Sequence, residues 1–286
     1  MPDFSIHPDT HIGSVHLTVS DPDRSLGFYR DTLGFHLLER KNSTVALTAD
    51  GTHVLLTLTG QPNARPKQQR TTGLYHVAIL VPSRADLART LRHLAEAGYP
   101  LEGWADHLVS EAIYLADPDG NGIEIYRDRP REQWPRRNRQ IQMATDPLDT
   151  EGVLAEADDR PWDGLPSQTR IGHIHLQVSD LRQAEAFYHG LLGFDVVTRD
   201  YPGALFVSAG GYHHHIGLNT WAGVGAPLPP PDAVGLRDFT IALPNRVEMQ
   251  RIVDRLKAAQ VELTEQVNGL SLRDPSSNGL LLTTRT

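Results

Sequence analysis

Ile12–Phe35 reads IGSVHLTVSDPDRSLGFYRDTLGF, and Ile171–Phe194 reads IGHIHLQVSDLRQAEAFYHGLLGF. Laid over one another at a constant offset of 159, the two stretches share 12 of 24 positions without a gap. Chance does not produce that, so the chain is built from an internal repeat. Each copy opens on an alternating strand (Val15, Leu17, Val19; Ile174, Leu176, Val178). Ser20-Asp21 or Ser179-Asp180 then supplies a helix N-cap. A short helix carries Phe28-Tyr29 or Phe187-Tyr188, and Gly34 or Gly193 ends it. Further strands are expected over Thr44–Leu47 and Val54–Leu58 in one copy, and over Ala204–Ser208 and His213–Leu218 in the other.

A weaker repeat lies downstream of each copy. Tyr75–Pro82 (YHVAILVP) resembles Arg237–Pro244 (RDFTIALP). Helices follow over Arg84–Ala97 and Arg246–Ala259, and a hairpin closes each unit, with turns beginning at Asp117 and Asp274. The Asp117–Gly122 run is read as that hairpin turn and not as a calcium loop, because its twelfth position is Asp128 and strand residues follow it. The fold class is therefore α+β, with four strand–helix–strands (βαβββ) modules near 10–62, 72–130, 169–222 and 233–286. Two domains, 10–130 and 169–286, flank a linker over 131–168, where Asp149–Ala157 reads as a helical patch.

Composition sets limits on function. Of 286 residues, 39% are hydrophobic and 22% charged, an ordinary globular balance. The formal charge of −8 argues against nucleic acid as a partner. No basic segment followed by an apolar core opens the chain, and no apolar run is long enough to cross a bilayer, so no membrane partner and a cytoplasmic location are expected. With no cysteine and 14 histidines, metal chemistry falls to imidazole and carboxylate.

Counting back from the last apolar residue of each opening strand gives a common ruler. Five residues before Val81 stands His76, before Val178 His173, and before Val19 Ser14; aligning Pro244 with Pro82 puts Asp238 at the same position in module four. Glu124 lies between Ile123 and Ile125 on the closing strand, where a carboxylate is costly unless paired, and its module-four counterpart is Leu281. Two histidines and a carboxylate with open positions make the non-haem iron(II) pattern. A lone strand histidine is more often a hydrogen-bonded core residue. His16 and His175 match across the repeat and can equally serve the shared fold. In the triplet His213-His214-His215, alternation lets at most two side chains face one site.

Together these residues resemble the vicinal-oxygen-chelate superfamily, and within it the type I extradiol dioxygenases that cleave catechols. The resemblance implies two such domains, with curved mixed sheets and helices outside, and iron(II), or manganese(II), held by His76, Glu124 and His173. It implies His215 as acid–base, with His214 the first of the pair. Tyr114, ten residues before Glu124, and His107 are implied at the substrate. His175, His213, Asn219 and Trp221 are candidates for the pocket, and Trp104, Phe206 and Tyr212 for pocket or core. The implied partners are a small aromatic diol and O2, and a homo-oligomer is expected. The family takes its ligands from modules three and four. Here module four lacks them, so a site between modules two and three is expected, paired within one chain or, alternatively, across a dimer, with modules one and four as a metal-free pair; His16 remains the substitute for His173 if modules one and two form the site. Two other readings stay open. One is a glyoxalase-like metal isomerase, which needs a fourth ligand where module three has only the neighbourhood of His213. The other is a metal-free binder of an aromatic compound or drug.

Overall fold

The computed structural model describes residues 4–137 and 140–284. Module one comprises β1 (His11–Val19), α1 (Pro22–Gly27) running into a π-type turn (Phe28–Thr32), β2 (His36–Lys41), β3 (Thr44–Thr48) and β4 (Leu56–Gly60). Module two comprises β5 (Gly73–Leu80), α2 (Arg84–Glu96), β6 (Gly103–Asp106), β7 (Ser110–Ala116) and β8 (Gly122–Asp128). A small hairpin, β9 (Arg136–Arg137) and β10 (Gln140–Ile141), and α3 (Thr150–Leu154) lie between the halves. Module three comprises β11 (Arg170–Gln177), α4 (Leu181–Glu185) with its own π-type turn (Ala186–Leu191), β12 (Asp195–Thr198), β13 (Ala204–Ser208) and β14 (Ile216–Asn219). Module four comprises β15 (Gly235–Leu243), α5 (Arg246–Ala258), β16 (Thr264–Gln266), β17 (Gly269–Arg273) and β18 (Gly279–Thr284).

The repeated residues do the same work in both copies. The Asp21 carboxylate accepts the Asp23 and Arg24 amides, and Asp180 accepts those of Arg182 and Gln183, so each short helix starts capped. Gly34 and Gly193 sit at φ +83° and +85°, left-handed conformations that release the chain from the helix. Their carbonyls then accept Leu165 N–H and Ile6 N–H, docking the segment that precedes each half. Tyr29 donates to Asp117 Oδ2 at 3.1 Å, and Tyr188 to Asp274 Oδ2 at 3.0 Å. Asp117 Oδ1 also accepts the Asp119 and Asn121 amides, as in a closed Asx-type turn.

Strand pairing crosses the two halves. One eight-stranded sheet runs β16-β17-β18-β15-β1-β4-β3-β2, joining modules four and one; the other runs β12-β13-β14-β11-β5-β8-β7-β6, joining modules three and two. The seam of the second sheet is antiparallel, with His76 opposite His175, Val77 opposite Ile174 and Ala78 opposite His173. His173 stands 97 residues after His76. That offset exchanges the first and last pairs and leaves the middle one in place, the mark of a local two-fold axis through Val77 and Ile174. Alternation then sorts the seam: Val77, Ile79, Ile174 and Leu176 are buried in the main apolar core, while His76, Ala78, His173 and His175 occupy the other face.

Residues 131–168 do more than link. Leu148, Val153 and Leu165 join the main core, and Trp134 packs on Tyr212 and His213. The sequence hides this because the segment has neither period, only isolated apolar residues among charged and polar ones. No helix among the described residues is long and apolar enough to cross a membrane.

Candidate metal centre

One row across the second sheet carries the site. Tyr114 on β7 is opposite Glu124 on β8, Glu124 is beside Ala78 on β5, and Ala78 is opposite His173 on β11. Ala78 contributes only a methyl between Glu124 and His173, so their side chains converge above it. His76, two residues earlier on β5, completes the group. Its Nε2 is 3.0 Å from Glu124 Oε2, and His173 Nε2 is 3.2 Å from the same oxygen. One ligand atom from each of the three lies within 4.8 Å of the others. All three residues are buried; His173 Nδ1 has no hydrogen-bond partner, and His76 Nε2 has none besides the Glu124 carboxylate. Buried polar nitrogens are seldom left so, and an unsatisfied one costs about 1–3 kcal/mol. Burial alone would raise the Glu124 carboxyl, but His173 and His76 outweigh it and hold it well below the usual carboxylate range. Burial pushes His173 down to about 4, against the pull of Glu124. The pair thus stands as anion and neutral imidazole, the forms that bind metal, and two imidazoles and a carboxylate fit a divalent ion.

The three face a cavity of about 430 Å³, which His107, Tyr114, His175, Phe206, His214 and Trp221 also line. His107 Nδ1–H donates to Ala144 O at 2.6 Å, so its Nε2 is bare and accepts Tyr114 O–H at 2.5 Å. Burial, then the Glu124 charge, raises the Tyr114 phenol well above its ordinary range and keeps it protonated. The Asn219 amide is oriented by Trp221 N–H donating to its Oδ1; its Nδ2 therefore donates to His175 Nε2 at 3.0 Å. Asn219 supports the wall from behind and does not line the cavity. Met143, Ala144 and Thr145, from the stretch between the domains, close one side, and Tyr75 and Tyr201 stand with Trp221 at the mouth. Trp104 and Tyr212 are not among the lining residues.

The histidine triplet divides differently from the expectation. It lies ahead of β14, which begins only at Ile216, and His214 is the member that lines the cavity, its ring centred 4.1 Å from that of His173. His215 turns away. Its Nδ1 accepts Ala209 N–H at 3.1 Å and its ring lies against Tyr212, toward a separate cleft between the sheets. His213 is also outside the cavity, with Nε2 2.8 Å from Asp128 Oδ1. HHH contains two His-His pairs, and the backbone selects the second member of the first pair. Burial, then the neighbouring imidazoles, holds His214 well below the ordinary histidine range.

Two further corrections follow from register. His16 belongs to the other sheet, opposite Asp238, with Nε2 2.8 Å from Thr59 Oγ1, and takes no part in the centre. The module-three position equivalent to Glu124 is Gly217, beside His175 as Glu124 is beside Ala78, and not the neighbourhood of His213. A Cβ on Gly217 would stand 2.8 Å from the His175 ring, so that ring fills the place of a second carboxylate.

His215 also sets a stability prediction. Burial, with His213 and His11 nearby, lowers it from 6.5 to about 3. Its depressed folded value means the unfolded chain binds the extra proton. The stability is complete above pH 6.5 and is lost as pH falls from there toward 3, at about 1.4 kcal/mol per pH unit. Denaturation midpoints of the metal-free chain are expected to fall between pH 6.5 and 4.5, with a shallower slope for His215→Gln.

Residues 11–125 and 170–275 match a sequence model of the Glyoxalase/Bleomycin resistance protein/Dioxygenase superfamily. A Bacillus subtilis protein named catechol-2,3-dioxygenase is 50% identical over 281 residues, covering 97% of this chain and 98% of its own length. Among solved structures, a Bacillus subtilis chain matches with a TM-score of 0.69 at 14% identity, over 98% of this chain and 86% of that one. Glyoxalase I from Zea mays matches with a TM-score of 0.59 at 15% identity, over 96% and 92% respectively.

Proposed function

The chain belongs to the Glyoxalase/Bleomycin resistance protein/Dioxygenase superfamily, and we propose that within it this protein is an extradiol dioxygenase. It opens the ring of a catechol beside its two hydroxyls, using O2 and a divalent metal, iron(II) or manganese(II), and yields a 2-hydroxymuconic semialdehyde. The observation that carries the reading is the buried convergence of His76, Glu124 and His173 in a cavity that also holds Tyr114 and His214. The 50% identity with the Bacillus subtilis enzyme supports it over nearly the whole chain.

His76, Glu124 and His173 would hold the ion. When bound, it supplies a Lewis acid for the diol and a redox centre for O2. The protein's own residues do the rest. Tyr114 spends its proton on His107, so its oxygen turns lone pairs toward the cavity and accepts a hydrogen bond from a substrate hydroxyl. His214 takes and returns the proton as acid–base catalyst. Phe206, Trp221, Tyr75 and Tyr201 bind the ring by apolar contact and exclude water. The isomerase reading loses weight because Gly217 offers no donor for a fourth ligand, and a metal-free binder leaves three buried ionisable groups without a purpose.

Anaerobic loading with iron(II), followed by oxygen uptake and visible absorbance on adding catechol, tests the reading. Rapid uptake with a yellow product is expected; a metal-loaded chain inert toward every catechol would refute it. Substrate charge gives a second expectation. Among the described residues no lysine or arginine lines the cavity, and Arg127 and Arg129 are held by Glu111 and Asp106. A carboxylate on the substrate ring finds no partner there. We expect kcat/KM for 4-methylcatechol to exceed that for 3,4-dihydroxyphenylacetate by roughly 10-fold or more.

A further inference from the structure

Behind His214 a chain of hydrogen bonds leads out of the cavity. His214 Nδ1 is 2.9 Å from Nδ1 of His213, a fully buried residue, and His213 Nε2 is 2.8 Å from Asp128 Oδ1. Asp128 ends β8, and its Oδ2 accepts Tyr212 O–H at 2.9 Å. The donor count along this chain has one solution for neutral rings. A carboxylate only accepts, so the proton of His213 is on Nε2 and its Nδ1 carries a lone pair. Two ring nitrogens 2.9 Å apart share one hydrogen, which must then be that of His214 Nδ1. The uncommitted nitrogen of His214 is Nε2, left with its lone pair, and His214 lines the cavity.

We infer that Asp128 and His213 are positioning residues that fix the tautomer of His214, so that it meets the bound diol as a hydrogen-bond acceptor and base. The inference rests on the dioxygenase reading for His214's role, while the tautomer follows from the hydrogen bonds alone. Turning the His213 ring over would put carbons in place of both nitrogens and break both hydrogen bonds. Tyr212 packs on its ring at 4.1 Å, Trp134 at 5.3 Å and Tyr126 at 6.1 Å. The other titratable or charged groups about it are His214, His173, His215 and, across the Trp134 and Tyr212 rings, Arg131. Asp128 is the carboxylate bonded to it. The arrangement repeats the logic of an aspartate that orients a catalytic imidazole, with one more imidazole inserted.

Asp128→Asn keeps the shape of the side chain but can donate as well as accept, which releases the lock. Two readouts test it. ¹⁵N NMR of the histidine-labelled, zinc-loaded chain reports tautomers, with His213→Phe and His214→Phe for assignment. Steady-state kinetics of the iron-loaded chain with catechol report function. The wild type is expected to show His213 protonated on Nε2 and His214 on Nδ1. Asp128→Asn is expected to lose that pattern and to lower kcat by about 10- to 1,000-fold, with metal content and KM for catechol unchanged. His213→Phe, which keeps a ring and removes the acceptor, is expected to lower kcat likewise. Wild-type tautomers in Asp128→Asn, or changed tautomers with undiminished kcat, would overturn the inference. A fully metal-loaded wild type that opens no catechol would instead refute the dioxygenase reading, and the NMR pattern would still decide the tautomer.

Discussion

Replacement of His173 or His76 by alanine is expected to abolish both metal binding and ring opening, whereas His16→Ala leaves them intact. The two ligand variants remove one of three donors that converge from β5, β8 and β11 and leave Glu124 buried with a single imidazole. Loss of a supporting contact alone costs such sites 10- to 100-fold in affinity, so removal of a donor is expected to exceed about 100-fold. His16 is the sequence-level counterpart of His175, yet it pairs with Asp238 and Thr59 in the other sheet. Metal content after dialysis against iron(II), read beside oxygen uptake, checks all three variants. Retention of metal by His173→Ala together with its loss from His16→Ala would move the centre to the other sheet.

The second large effect separates two adjacent histidines. His214→Ala is expected to lower kcat for catechol by about 10²- to 10⁴-fold while the metal stays bound, the usual range for loss of a positioned acid–base group. His215→Ala is expected to leave kcat within a few-fold, because its ring is turned onto Tyr212 and its Nδ1 is occupied by Ala209 N–H. His215→Ala is expected to show its effect in stability instead, since a buried N–H loses its acceptor. Single-turnover kinetics with full metal occupancy separate the two; equal loss in both variants would argue that the whole segment, and not His214, carries the proton.

How far the sequence reaches is clear from these same residues. The helices and caps were readable because Asp21, Asp180, Gly34 and Gly193 act through local geometry that repeats. The equivalence of His76 and His173 was readable as well, since two strands of one repeat have one register and a count from Val81 and Val178 recovers it. The triplet resisted for a physical reason. Alternation separates His214 from its neighbours but does not say which side is the cavity, and that depends on Ala209 and Asp128, far away or out of the strand. Gly217 was equally silent, because an absent side chain matters only when the ring beside it is seen. Met143, Ala144 and Thr145 reach the cavity through tertiary packing of a stretch with no period of its own.

The crossed pairing of modules would give a bound ion a mechanical role. Two donors come from the first half of the chain and one from the second, with Glu124 and His173 49 positions apart. An ion seated there is a removable cross-link that ties off a long loop. In polymer terms it takes away conformational freedom that the unliganded chain regains on unfolding. The first half alone carries two ligands and the second half one, so neither can close the link. A chain cut between the halves therefore becomes a pair of fragments whose reassembly the metal itself would reward.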